Sequence, residues 1–126
     1  MNSSSVSVAK IAELLDLKNF TDEIDLKKRK ITTTDINRPA LQLTGYFEHF
    51  EESRVEIIGN VEYAYIQQMS DEEKRIRYDA FLKFDIPCVI FSRNLTPDPI
   101  FLKEALANHV PVLGTGRSTS EFTAEL

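Results

Sequence analysis

Pro87-Cys88-Val89-Ile90-Phe91 is an unbroken apolar run. A strand wetted on one side alternates apolar and polar residues; a strand without alternation is buried on both faces and belongs to a sheet covered by helices. Cys88 is then a small core residue rather than a nucleophile, since no sequence neighbour is placed to make it a thiolate. Upstream, Ser70-Asp71-Glu72-Glu73 has capping-box spacing, with three acids to complement the helix dipole. The helix it opens should continue to about Lys83 and bury Ile76, Ala80, Phe81 and Phe84. Downstream, a loop from Asn94 to Pro99 leads to Asp98-Pro99, which starts a helix through Ala107, and Val110 to Leu113 make another strand. On the other flank Val55 to Ile58 read as a strand closed by Gly59-Asn60, a turn or N-cap signal. Val61 to Met69 suit a helix, with Val61, Tyr65 and Met69 one turn apart.

Further out, Ile31-Thr32-Thr33-Thr34 are all β-branched and predict a strand. Pro39 begins a short helix to Thr44, and Gly45 terminates it. The rings of Tyr46-Phe47-Glu48-His49-Phe50 plug the edge of the core. Ser3 to Ser5 read as a mobile lead-in, and Ser7 caps a helix through Leu17 built on Val8, Ile11, Leu14 and Leu15. Lys18 to Lys30 read as a polar connection anchored by Phe20, Ile24 and Leu26. The basic run Lys27-Lys28-Arg29-Lys30 within it is either a solvated turn or a phosphate-binding patch. After the last strand, Gly114 to Ser118 form a turn, and Thr119 to Leu126 open another helix. Strands alternating with helices predict an α/β domain of three layers, a largely parallel sheet flanked by helices.

The bulk numbers bound the function. A chain of 126 residues with 42% apolar and 28% charged side chains suits one globular domain. A net charge of −5 weighs against nucleic acid as the main partner. No apolar run approaches the roughly 18–20 residues of a membrane span, and no signal peptide is evident at Met1-Asn2-Ser3. A single cysteine suits a reducing cytosol, so the expected location is cytoplasmic, with no membrane partner.

Familiar catalytic patterns fail on spacing. His49 and His109, with one cysteine, match no common zinc spacing, so no metal site is expected. There is no Gly-x-Ser-x-Gly elbow and no G-x-x-x-x-G-K-[ST] loop. Gly114-Thr115-Gly116 lacks the third glycine of a dinucleotide fingerprint, because Thr119 stands there; Ser118 and Thr119 more naturally cap the following helix. Val8 to Leu15 has the look of the first helix of a helix-turn-helix, but no basic recognition helix follows.

Asp35, Asn37 and Arg38 remain, an acid, an amide and a guanidinium between a predicted strand and a predicted helix. In one reading they recognise an anionic or nucleotide-like ligand or another domain, with Arg38 as the bidentate element. In the other, Asp35 and Asn37 satisfy turn amides while Arg38 pairs with an acid such as Glu48. Both readings stand on the residues alone.

The run Thr33-Thr34-Asp35-Ile36-Asn37-Arg38-Pro39-Ala40-Leu41-Gln42-Leu43-Thr44-Gly45-Tyr46-Phe47 resembles the signature of the N-terminal domain of HPr kinase/phosphorylase. Arg54 to Gly59 with Glu62-Tyr63, Pro87 to Ile90 with Arg93, and Val110 to Leu113 with Ser118-Thr119 fit the same family. Ala40 departs from the glycine usual there, which suggests a helical backbone. The resemblance implies a domain similar to one of MurF, a cell-wall ligase. It implies a flexible start over residues 1–5, the family domain over 6–117, and the start of a connection to a kinase domain over 118–126. That second domain would hold the P-loop, the catalytic acids, ATP and magnesium, so the resemblance assigns no catalytic residue and no cofactor to these 126 residues. The implied whole enzyme is a bacterial hexamer that phosphorylates and dephosphorylates a serine of the phosphocarrier HPr in carbon catabolite regulation. This chain would be its regulatory or interaction domain, inactive alone; the alternatives are a structural spacer or a binding domain for a phosphorylated metabolite or nucleotide.

Overall fold

The computed structural model describes residues 6–33, 35–48 and 50–121. The serine lead-in, Thr34, His49 and the helix expected beyond residue 121 lie outside the described residues.

The described residues form seven short strands and five α-helices. They are β1 (Val6–Ser7), α1 (Val8–Leu14), β2 (Lys18–Asn19), β3 (Lys30–Ile31), β4 (Ile36–Asn37) and α2 (Ala40–Leu43), then β5 (Val55–Ile58), α3 (Asn60–Gln67) and α4 (Asp71–Leu82), then β6 (Val89–Phe91), α5 (Pro99–Ala107) and β7 (Val112–Gly114). The main sheet has the order β2-β7-β6-β5-β4. Its four strands β4 to β7 are parallel, and β2 closes one edge antiparallel to β7. β1 and β3 form a separate antiparallel ribbon.

The period of two along the strands divides the core. Ile58, Val89, Phe91 and Val112 meet Leu43 of α2, Ile66 of α3, Tyr78, Phe81 and Leu82 of α4, and Phe101 and Ala105 of α5. Val55, Ile57, Cys88, Ile90 and Leu113 face Val8, Ile11 and Ala12 of α1, together with Ile31 of the ribbon. The sheet is thus covered on both sides, as the unbroken run at Pro87–Phe91 requires, and the α/β expectation is met. Cys88 is fully buried, and burial first, then the charge of Glu56, pushes its thiol up to about 12. It is a core residue.

The caps that local sequence predicts are present. The Ser7, Ser70 and Asp98 side chains accept from the backbone amides of Lys10, Glu73 and Phe101. Ser118 and Glu121 cap one another's backbone amides at the helical turn over residues 119–121. Gly45 takes φ +97, which an L side chain adopts only with strain. Ala40 is helical, and Phe47 and Phe50 stack on Phe84 at ring separations of 5.0 Å.

Several expectations need correction. The strand predicted over Ile31–Thr34 is only Lys30–Ile31, and it belongs to the ribbon. Thr33 diverts the chain by accepting the Asp35 amide on its hydroxyl, a local bond that competes with the ladder. The sheet resumes at Ile36–Asn37, so Asn37 lies within an edge strand rather than beyond its end. The connection over Lys18–Lys30 contains β2 and a single 3-10 turn. Helix α1 stops at Leu14, since Asp16 has φ 53. Ile76 is 60% exposed, and Tyr78 takes the core position on α4. On α3, Val61 and Tyr65 point outward while Glu62 and Ile66 are buried. Within the basic run, Arg29 is committed to the Asp85 carboxylate at 2.7 Å and to the His109 carbonyl, an arrangement that ties the ribbon to the loops preceding β6 and β7.

Candidate functional site

Parallel strands deliver their carboxyl ends to one rim of the sheet, and each is followed by a turn and, in this fold, a helix start. Ligands of open α/β folds bind outside those ends, where loops diverge and backbone amides face outward. Here a cleft of about 680 Å3 occupies that rim, lined by Ile36, Arg38, Asn60, Val61, Arg93, Thr119 and Ser120. Arg38 follows β4, Asn60 and Val61 follow β5, Arg93 follows β6, and Thr119 and Ser120 come after β7. Residues as far apart as Ile36 and Ser120 are brought together because four adjacent parallel strands end on one rim.

Arg38 is anchored at one edge. Its Nη2 donates to Glu62 Oε1 at 2.7 Å, and the same oxygen accepts the Gly59 backbone amide at 2.9 Å. Glu62 is nearly fully buried, whereas the Arg38 side chain keeps 39% of its surface. The guanidinium therefore spends one of its five donors on Glu62 and retains others facing the cleft. The bonded carboxylate also occupies an orphan amide at the start of α3.

Gly59 makes that convergence possible. A Cβ at this position would lie 2.7 Å from both Arg38 Nη2 and Thr119 Oγ1. Both neighbours are side-chain tips, so they can yield. Gly59→Ala is expected to lower stability by only about 1 kcal/mol while turning Arg38 away from Glu62. A thermal melt together with a crystal structure of the variant checks both halves.

The opposite wall is held by the β6 end. Ser92 Oγ contacts Ile58 O at 3.3 Å and Thr119 Oγ1 at 2.8 Å. Arg93 and Asn94 both lie in the left-handed region, at φ 56 and 58. Their amides donate to Arg117 O and Thr115 O, at 2.8 and 2.9 Å, which fixes this uncommon geometry. Arg93 is exposed. Nearby, hydrogen bonds from Ser118 first, and then the charges of Arg117 and Arg93, hold the Glu121 carboxyl below its ordinary range.

Asn37 turns the other way. Its Nδ2 donates to Glu56 Oε1 at 2.6 Å and to Gln42 Oε1 at 3.0 Å. Glu56 is fully buried, and desolvation pushes its carboxyl up to about 7 against the opposing effects of the Asn37 bond and the Arg54 charge. Its Oε2, and Arg54 Nε on the same side of the strand, have no hydrogen-bond partner among the described residues.

The three residues singled out from sequence are thus separated. Arg38 lines the cleft, Asn37 bonds beneath it, and Asp35 is exposed before β4 with its amide bonded to Thr33. Arg38 pairs with Glu62, not with the Glu48 that the alternative reading named. Sequence reasoning from residue types did not single out Glu56, Glu62 or Arg93 for the site. For Glu62 a signal was available: Gly59-x-x-Glu62 carries the spacing of a helix-start carboxylate.

Comparison with known proteins adds the family. The family described as HPr Serine kinase N terminus matches residues 6–126. A HPr kinase/phosphorylase of Lachnoclostridium phytofermentans is 41% identical over 122 residues, covering 97% of this chain and 40% of the relative. One from Caldicellulosiruptor bescii is 39% identical over 95% of this chain and 39% of its own length. One from Latilactobacillus sakei is 33% identical, over 95% and 38% respectively. The chain therefore spans about 40% of the length of the curated relatives it matches. A crystal structure of the CBS and DRTGG domains of the regulatory region of Clostridium perfringens pyrophosphatase, complexed with its activator diadenosine tetraphosphate, aligns over 95% of this chain and 45% of its own. Its TM-score is 0.63 at 16% identity, which establishes a shared fold.

Proposed function

The chain belongs to the HPr serine kinase N-terminal family, and from that premise we propose that it is the non-catalytic recognition domain of a bifunctional bacterial HPr kinase/phosphorylase. In this reading the remaining length of the relatives carries the P-loop, ATP and magnesium, and contacts the HPr serine. Residues 118–126 begin the connection to it from a domain over 6–117. The whole enzyme is a cytoplasmic hexamer acting in carbon catabolite regulation, and the present domain informs it of a bound partner or metabolite.

The observation that carries this reading is the convergence of Arg38, Asn60, Arg93 and Thr119 on the carboxyl ends of the parallel strands. These groups are suited to hold an anion or a polar partner surface. The pyrophosphatase region of the same fold is itself regulatory and is complexed with an activator; that is an analogy of fold, and it points the same way.

Titrating the chain with HPr, with the remaining portion of a relative, and with sugar and nucleotide phosphates tests the proposal. Arg38→Lys keeps a cation beside Glu62 but loses the planar fork, and it is expected to weaken binding about tenfold. Absence of binding to every one of these partners, or identical binding by the variant, sinks the recognition role. Turnover of ATP, pyrophosphate or serine-phosphorylated HPr by residues 1–126 alone overturns the non-catalytic part.

One observation favours a second reading, a structural spacer. Asn37 spends both of its observed side-chain bonds inside the fold, on Glu56 and Gln42. Under this reading Asn37→Ala lowers the melting temperature, and the whole enzyme keeps its kinase rate and effector response. An altered effector response in a variant that is still folded counts against it.

A further inference from the structure

We propose that the strand-end cleft binds a nucleoside monophosphate, its phosphate shared between the guanidiniums of Arg38 and Arg93 and its nucleoside laid against Ile36 and Val61. This rests on the recognition reading above and specifies the ligand class of that site.

Charge selects the phosphate. Arg38 and Arg93 bring two positive charges to the cleft, and Glu62 offsets one of them from its buried position. What remains among the lining side chains is one net cation, offset by Glu121 until that carboxylate is displaced, together with the amides of the first turn of α3, an eight-residue helix that begins at Asn60 on the cleft wall. Guanidinium groups pair with phosphate through parallel charge-assisted hydrogen bonds, and a helix start adds outward N–H donors to an anion already held by side chains. Arg38 is oriented by its bond to Glu62, while two backbone bonds fix the main chain at residues 93 and 94 and leave the exposed Arg93 side chain to be ordered by the ligand. One cation is thus placed before a ligand arrives, which lowers the ordering cost of binding. Glu121, whose charge interacts with Arg93, is the group that an entering anion must displace or avoid.

Size and apolar lining select the rest of the molecule. A volume of about 680 Å3 far exceeds what a free phosphate fills and falls in the range of small-molecule sites. Val61 stands 70% exposed on the wall, one residue from Asn60, and Ile36 of β4, which also packs against the α1-side core, lines the same cleft. Outside this role Val61 is an aliphatic side chain left in water on the cleft wall. A nucleoside covers it; a sugar phosphate, polar on all sides, does not.

Calorimetric titration of the 126-residue chain with AMP, adenosine and inorganic phosphate tests the assignment. AMP is expected to bind saturably below about 1 mM, with adenosine and phosphate each weaker by about tenfold or more. Arg93→Asn removes the guanidinium while supplying a residue that tolerates a left-handed backbone. It is expected to weaken AMP about tenfold and to leave the melting temperature of the free chain unchanged. Val61→Ser should weaken AMP and not phosphate. The proposal is overturned if AMP fails to bind, if adenosine or phosphate binds as tightly as AMP, or if Arg93→Asn leaves the affinity unchanged. A chain that ignores AMP but binds HPr, a sugar phosphate or the remaining portion of the enzyme refutes this ligand alone. A chain that ignores them all removes the recognition reading as well.

Discussion

Replacing Glu56 by glutamine is expected to stabilise the chain by about 3 kcal/mol at pH 8 and to change it little at pH 4. Glu56 sits fully buried on β5, and its carboxyl is raised from 4.5 to about 7. Desolvation is the leading cause, since the Asn37 bond and the Arg54 charge both act in the opposite direction. A carboxyl whose folded pKa lies above its unfolded one binds more protons in the folded state. Its contribution is therefore most favourable below the unfolded pKa, declines as pH rises from 4.5 to about 7, and stays at its reduced level above that. Glutamine keeps the oxygen that accepts from Asn37 and discards the charge. Urea unfolding of both proteins at pH 4, 6 and 8 reads the difference directly. A gap between the two that does not widen between pH 4 and pH 8 shows that Glu56 is not held near neutrality by burial.

This carboxyl ties the edge of the sheet to the cleft. Asn37 bonds Glu56 beneath the sheet while the next residue, Arg38, turns outward to Glu62. Ionisation of Glu56 near neutral pH strengthens its hold on the Asn37 amide and places in the core a charge that Arg54 only partly offsets. The turn that orients Arg38 therefore follows a two-residue strand whose Asn37 is bonded to a β5 carboxyl with its protonation balanced near pH 7.

What the sequence disclosed follows from the range of the forces involved. The strand at Val89–Phe91 was legible because burial on both faces writes an unbroken apolar run, and Val55–Ile58 because three of its four residues are β-branched although Glu56 interrupts them. The starts of α1, α4 and α5 were legible because each cap is a bond between residues three apart. Strands β1 to β4 are two residues each, and they exist because distant partners pair with them. Lys18 pairs with Gly114 across the whole length of the domain, and no local pattern encodes that. The site divides in the same way. Arg38 could be named from its setting, but its partner Glu62 lies 24 residues on and meets it only because β4 and β5 are neighbours. Arg93 enters the cleft through two left-handed residues, a geometry with no signature in Ser92-Arg93-Asn94 beyond an asparagine that tolerates it.

Asp98→Ala is expected to cost 3–4 kcal/mol, about a third of the stability of a domain this size, because one carboxylate serves two helices. Asp98 Oδ1 accepts the Phe101 amide at 2.8 Å and caps α5, while Oδ2 accepts the Tyr78 hydroxyl of α4 at 2.7 Å. Lys74, also on α4, places its ammonium 3.7 Å from the same Oδ2. Tyr78 is fully buried, and its ring meets Phe101 edge-on at 4.9 Å, so the hydroxyl has no route to water once its acceptor is removed. Loss of the cap accounts for about 1 kcal/mol, and the stranded hydroxyl with the half-buried ammonium for about 2–3 kcal/mol. Asp98→Asn retains a good capping oxygen and is expected to cost only about 1 kcal/mol. Tyr78→Phe should also cost about 1 kcal/mol, since it removes the donor without leaving it orphaned. The double variant Asp98→Ala with Tyr78→Phe should then be less destabilised than the sum of the single changes, by about 1 kcal/mol or more. Denaturant unfolding of the four proteins completes the cycle, and simple additivity means that the α4–α5 joint rests on the Tyr78 and Phe101 rings rather than on the carboxylate between them.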